Sequence, residues 1–362
     1  MSDFLLPDLE TPALCLDIRT LQERIGLIAS RMQAHHQKWR PRADWHLLPP
    51  LAKYQCTAGA CGISLDSLPQ VARFASAGLM NIHLAQPPVG SRQWPQIFQT
   101  FPNLELSVSC DHYAQAEELS DIAGRLGRRI PVLVELNTGR NRFGVRPGLD
   151  SRDLARGISR LPGIEIRGLS AHLGVITPAE KSIRQSQSAL GILEESRDCL
   201  LQDGLCGDVV SVAVEGVIDP VLTSGLVTEL QTGNLFSKEI DSTGGHTAFP
   251  APLFVVSSIF SRSKLERAVL DIGQSRLGVR SPEGVEVRST ASGRPLPDAR
   301  VESLGWESLT LDLGPDSRDI VIGDRVLVNL HEGAFAVRLF PAIHVVEDGN
   351  IKEIWPAPHG RE

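Results

Sequence analysis

The sequence predicts an α/β chain: a (β/α)8 TIM-type barrel over residues 20–248, followed by a C-terminal β domain built from residues 249–362 together with 1–19. Three observations predict it. Helical and strand periodicities alternate from residue 20 onward, short apolar runs between the helices are bounded by Gly, Pro, Asn or Asp, and after about residue 250 helical periodicity nearly stops. Alternation of this kind gives parallel strands covered by helices, and its length favours a closed barrel over an open sheet.

Taken in order, TPALCLDI is strand-like and is expected to join the β domain before the chain enters the barrel. LQERIGLIASRMQAHH, DSLPQVARFASAG, HYAQAEELSDIAGRLG and SIRQSQSALGILEESRDCLLQDG space their apolar residues as helices do. NIHLAQ, LELSVS, IPVLVELN, IEIRGLSAHL and VVSVAV are the intervening strands. FVVSSIFSR, RAVLDIG, SLTLDLG, DRVLVNLH and AIHVVEDGNIKEIWP, separated by turns such as EDGN and GPDS, form the β domain. In a barrel of this type chemistry sits at the C-terminal ends of the strands, so the residues just after each run are the ones to inspect.

Bulk properties narrow the function. The chain has 362 residues, 42% hydrophobic and 22% charged, with a formal net charge of −7. Lys and Arg are scattered without a basic run, which excludes nucleic acid as an expected partner. No stretch of about 18 apolar residues spans a membrane, the N-terminus lacks a signal-peptide pattern, and a cytoplasmic protein is expected. Cys15, Cys56, Cys61, Cys110, Cys199 and Cys206 are dispersed, as buried reduced thiols are. There is no Walker loop and no G-x-G-x-x-G after a strand. HTAFP, with His246, reads as a turn, and no G-x-S-x-G elbow accompanies the DSTGGHT run.

The ordered series TPALCLDIRTLQERI, RPRADWHLLPPLAKYQ, CGISLDSLPQV, VLVELNTGRNRFGVRPG, GLSAHLG, TELQTGNLF, VLDIG and GDRVLVNLH with VVEDGNIKEIWP resembles the fold-type III pyridoxal phosphate enzymes. Within them it is most similar to the D-threonine aldolase and D-serine dehydratase group, relatives of alanine racemase. The resemblance runs over nearly the whole chain. It implies a cofactor-bearing barrel closed by a β domain, and a homodimer acting on a small-molecule ligand.

Three departures from the family pattern bear on function. The family form of the segment Arg40–Gln55 is R-P-H-x-K-x-H-K, with the central lysine forming the Schiff base. Here Arg42 replaces the first histidine, Asp44 the lysine and Leu47 the second lysine, while His46 is kept. A carboxylate cannot form an imine. Lys38 precedes the expected strand and Lys53 lies on the following helix, so neither substitutes. The resemblance places the cofactor phosphate at a small-residue turn after VSV; here VSVAVEGVIDP puts Glu215 beside it, leaving a degenerate phosphate site around Glu215, Gly216, Gly233 and Asn234. A carboxylate there repels a phosphate dianion. The family's late His-x-Cys metal pair survives only as His331, with Gly333 where the cysteine stands.

On a strand, Arg42, Asp44 and His46 share one face, directed at the barrel mouth. They are either an ion pair filling vacated space, an acid and base, or metal ligands joined by His172, Glu215 or His331. Arg142 and His172, retained from the family pattern, complete the candidate catalytic set of Asp44, His46, Arg142 and His172. Three functions follow: a repurposed, pyridoxal-phosphate-independent lyase or isomerase acting on a small amino-acid-like or hydroxy-acid substrate; a noncatalytic binding protein; or an enzyme using noncovalently bound pyridoxal phosphate. A divalent metal at Asp44, His46 or His331 is the weaker cofactor expectation.

Overall fold

The computed structural model describes residues 6–86, 89–90, 92–176, 180–205, 207–237 and 251–358, apart from the side chains of 176 and 180–182. The fold subdivides into two units. One comprises 26–233 with 241–246; the other comprises 1–25, 234–240 and 247–362.

The first unit is the barrel. After α1 (Ile18–Ala34) the chain runs β2 (Lys38–Trp39), α2 (Pro49–Thr57), β3 (Ile63–Leu65), α3 (Leu68–Ser76), β4 (Asn81–Leu84), α4 (Trp94–Thr100), β5 (Glu105–Cys110) and α5 (Tyr113–Leu126). It continues through β6 (Ile130–Leu136), α6 (Leu149–Ile158), β7 (Ile164–Ile176), α7 (Glu180–Gln202), β8 (Val209–Gly216), α8 (Asp219–Leu222) and β9 (Glu229–Gln231), the strand β1 (Ala13–Asp17) having preceded α1. The strand order is β2-β9-β8-β7-β6-β5-β4-β3, every pair parallel. Closure comes from a bridge of Arg42 to Ser64 and from Cys61 N–H donating to Trp39 O at 2.8 Å. All five barrel strands expected from the apolar runs are present. The short strands β2, β3 and β9 carry too few residues to show a period.

Local chemistry explains the boundaries. Pro stands in the first turn of α2, α3 and α4, where its missing N–H costs nothing. The α5 helix starts on a reciprocal cap in which His112 accepts from Ala114 N–H and Gln115 reaches back to His112 N–H. It stops at Gly127, whose φ of 61° is left-handed.

The second unit is a nine-stranded sheet containing β1, β10 (Leu253–Lys264), β11 (Arg267–Leu270), β12 (Val285–Thr290), β13 (Ala299–Leu304), β14 (Leu309–Leu313), β15 (Arg325–Leu330), β16 (Ala342–Glu347) and β17 (Asn350–Pro356), with one helical turn, α9 (Gln274–Leu277). As expected, β1 joins it, antiparallel to β10 and parallel to β16. Leu9, Cys15, Phe254, Val256 and Val346 pack in its core. Cys15 and Cys110 are buried free thiols, and burial pushes the Cys110 thiol up to about 12. The segment carrying DSTGGHT and His246, and Cys206, lie outside the described residues.

Candidate active site

The strand ends on one side of the barrel carry the charged residues, and their arrangement corrects one expectation. Arg42, Asp44 and His46 do not alternate on a strand face, because β2 ends at Trp39 and residues Ala43–Trp45 wind into a 3-10 turn. Lys38 accordingly lies within β2 rather than before it. The turn folds Asp44 back onto Arg42. The Arg42 guanidinium donates Nε to Asp44 Oδ1 at 3.1 Å and Nη2 to Asp44 Oδ2 at 2.7 Å, and Nη2 also reaches Asp66 Oδ1 at 3.1 Å. Arg42 is nearly buried, and burial opposes its charge, yet Asp44, then Asp66 and Glu215, raise its pKa overall. Burial, and then the neighbouring Asp44, push Asp66 up to about 6, outweighing the Arg42 attraction.

His46 turns into the packing. It is 1% exposed, its Nδ1 accepts from Leu48 N–H at 2.9 Å, and its ring meets Phe74 edge-on at 6.4 Å. That commits Nδ1 to the backbone and removes it from metal ligation. Among the described residues no group of three His, Cys, Asp or Glu is placed to hold a metal ion. His331 lies in the second unit, where its N–H donates to Gly284 O at 3.0 Å. Gly333, two residues on, is packed against Leu253.

The loop between β6 and α6 carries the cations. It closes where Asn137 N–H donates to Val145 O at 3.0 Å and Val145 N–H to Glu135 O at 2.9 Å. Gly144 permits this, since its φ is +104° and a Cβ would strike the Leu136 carbonyl carbon at 2.5 Å. Its N–H donates to Asp111 Oδ2 at 2.8 Å. Arg142 lies over the Phe143 ring at 4.2 Å. Arg140 reaches His172 in the C-terminal half of β7, with Nη1 to Nδ1 at 3.0 Å. An arginine has only donors, so Nδ1 is the acceptor and the neutral ring carries its proton on Nε2. Burial, then Arg42, Arg140 and Arg142, drive His172 down to about 3. Gly174, with φ +83°, leaves space that Arg140 occupies.

Glu135 was not apparent from the sequence, although a carboxylate inside the apolar run VLVELN was its signal. It is 4% exposed near the end of β6 and accepts from Ser109 Oγ at 3.2 Å; Ser109 in turn meets Ser170 Oγ at 2.8 Å and His83 Nε2 at 3.1 Å. Burial raises Glu135 to about 7, more than the two serines lower it. Asp66 was equally missed, at the end of the run ISL. Glu135, Arg140, Arg142 and His172 line one concavity, which encloses only about 10 Å³.

At the turn after β8, Glu215 is 7% exposed and accepts from Thr232 Oγ1 at 3.3 Å. Its negative charge is among those that raise the Arg42 pKa. Gly216 turns the chain with φ +83°, and Gly233 is packed near Gln55 and the Arg42 N–H. In the second unit, Asn234 donates to Glu332 at 3.2 Å. The described lysines of the barrel stay away from these groups. Lys53 is exposed on α2, and Lys38 opens β2 at the opposite, N-terminal end. The group around Arg42 thus presents guanidiniums and carboxylates, and no described amine.

Comparison with known proteins agrees with the architecture. The model of the alanine racemase N-terminal domain matches residues 42–214. A D-threonine aldolase from Arthrobacter sp is 26% identical over 97% of this chain and 92% of its own length. A D-threo-3-hydroxyaspartate dehydratase from Delftia sp. is 28% identical over 64% of this chain and 62% of its own. Among solved structures, D-threonine aldolase from Filomicrobium marinum superposes with a TM-score of 0.85, at 24% identity, covering 98% of this chain and 96% of that one. At that identity the superposition speaks for the fold. Barrel, β domain and sequence likeness together make the chain similar to the fold-type III family that includes alanine racemase, with D-threonine aldolase-like sequence along its length.

Proposed function

We propose that this protein is a diverged enzyme of that family, acting on a small amino-acid-like or hydroxy-acid substrate by acid–base chemistry, without an imine to pyridoxal phosphate. The observation that carries the reading is the Arg42, Asp44 and Asp66 cluster. Arg42 and Asp44 lie in the segment where the family pattern has its lysine, and Asp66 joins them from just after β3. The residues do not fit the cofactor: an imine needs an amine, and Glu215 sets a buried carboxylate at the turn where the family pattern has the cofactor phosphate. Arg140 and Arg142 are suited to hold a substrate carboxylate, and His172 to donate from Nε2. Asp66 and Glu135, with midpoints near neutrality, are suited to accept and return a proton. The relatives named as an aldolase and a dehydratase point to lyase chemistry on hydroxylated amino acids. A homodimer is part of the proposal.

A second reading, a noncatalytic binding protein, is favoured by the small concavity, since about 10 Å³ is room for roughly one water. One experiment separates the readings. The purified protein is mixed with pyridoxal phosphate, dialysed, and its absorbance recorded, alongside elemental analysis and turnover of a panel of β-hydroxy acids and amino acids. Turnover without a retained visible band, abolished in Asp66→Asn, supports the proposal. A retained band overturns it, and absence of turnover across the panel favours the binding protein.

A further inference from the structure

The barrel has a second concavity, at the N-terminal ends of its strands, that the chemistry above does not use. It has a volume of about 570 Å³, within the range of small-molecule sites. In barrels of this type that face ordinarily serves stability. Here it gathers five basic side chains, Lys38, Arg40, Arg128, Arg129 and Arg167, against the carboxylates Glu105 and Glu229. The whole chain carries a net charge of −7, so the cluster is not a reflection of a basic protein.

The five cations are not equivalent. Arg40 is buried and bound to Glu229, Nε to Oε2 at 2.8 Å, and to Asn81 at 2.8 Å; together they form a neutral base to the cavity. Arg167 pairs with Glu165 at 3.2 Å. Arg128 lies over the Phe98 ring at 4.8 Å and donates to Pro102 O at 2.6 Å, which fixes its guanidinium at the wall. Lys38 and Arg129 have no carboxylate partner among the described residues. Beside them the wall is apolar, formed by Phe98, Leu106 and Leu133. Unpaired cations sharing a cavity repel one another until an anion enters.

We propose that this cavity is a binding site for a small organic phosphate: a dianionic head held by Lys38, Arg128 and Arg129, on an apolar body lying against Phe98, Leu106 and Leu133. Lys38, Arg128 and Arg129, set against the lining carboxylate Glu105, leave a net charge of +2 that matches a dianion, and the apolar wall selects an organic ester over the free ion. The site is separate from the strand-end group that contains Arg42 and Arg140.

Phenyl phosphate, inorganic phosphate and phenol serve as probes in calorimetry on the full chain. Phenyl phosphate binds saturably, more tightly than inorganic phosphate, and phenol does not bind. Lys38→Ser with Arg129→Ser weakens phenyl phosphate at least about tenfold, as expected for lost hydrogen bonds to a charged group. Both residues are exposed, so the fold is retained, which circular dichroism checks. Arg140→Ser leaves the affinity unchanged. No saturable heat at about 10 mM phenyl phosphate, weaker than the ~1 mM affinities calorimetry reads easily, overturns the site. So does loss of binding in Arg140→Ser but not in the double variant. Equal affinity for inorganic and phenyl phosphate overturns the apolar subsite.

Discussion

Arg42 and Asp44, two residues apart in sequence, face each other in a two-point contact, Nε to Oδ1 at 3.1 Å and Nη2 to Oδ2 at 2.7 Å. Planar forks of this kind are the strong form of the ion pair, and this one is nearly buried. It exists because the chain leaves the strand at Trp39 and winds through Ala43–Trp45, bringing the carboxylate back over the guanidinium.

Removing Asp44 leaves Arg42 with Asp66. Asp44→Ala is therefore expected to cost about 1–3 kcal/mol in denaturant unfolding, rather than the full penalty of stranding a buried charge. It also lowers the midpoint of Asp66, because a raising neighbour is gone. Asp44→Lys places an ammonium against Arg42, with expected losses of about 3–5 kcal/mol. With Glu215 still in place it gains no visible band on adding pyridoxal phosphate; a band would show that the cofactor site survives.

Glu135 sets a pH dependence. Its midpoint is raised from the ordinary 4.5 to about 7, so its stabilising contribution is fully present below pH 4.5 and lost as pH rises through 7. The shift corresponds to about 3 kcal/mol as an order of magnitude. Glu135→Gln should flatten the stability profile between those limits. Asp66, raised to about 6, has the same sign in a lower window. A stability curve that rises through pH 5–7 in the wild type and is unchanged in Glu135→Gln would refute this assignment.

His172 works in the opposite direction. Its midpoint is lowered from 6.5 to about 3, so its contribution is present above pH 6.5 and lost as pH falls toward 3. Arg140→Ala removes one of the cations that lower it. The ring midpoint, followed by nuclear magnetic resonance, should then rise while staying below 6.5, since burial and Arg42 remain.

Gly174 governs the position of Arg140. A methyl group there meets the guanidinium, and φ of +83° disfavours any other residue. Gly174→Ala is expected to cost about 1–3 kcal/mol in stability. It should also weaken binding of any carboxylate ligand held by Arg140, with a larger effect on KM than on kcat.

The proposed homodimer predicts twice the chain mass of 39.4 kDa in sedimentation equilibrium. Trp306 and Phe335 are 69% and 64% exposed. They flank the turn of α9, where Trp306 O accepts from Ser275 N–H and the Phe335 Cβ faces Gly278. Trp306→Asp combined with Phe335→Asp should shift the protein to monomer; a wild-type monomer would remove the expectation.

What the sequence determined was periodic. The spacing in HYAQAEELSDIAGRLG and the apolar run IPVLVELN are local properties, and the helix and strand they specify are present, as are the barrel and the β domain that recruits TPALCLDI. The carboxylates Asp44 and Glu215 were also legible, as residue types at positions that the resemblance marks. Which side chains meet was not. A 3-10 turn of three residues has no period to read, so the shared face of Arg42, Asp44 and His46 dissolved, sending His46 toward Phe74 and Asp44 onto Arg42. Asp66, Glu135 and the pairing of Arg140 with His172 come from different strand ends brought together only by closure of the barrel. Their midpoints follow from burial and from neighbours distant in sequence, which no local pattern encodes.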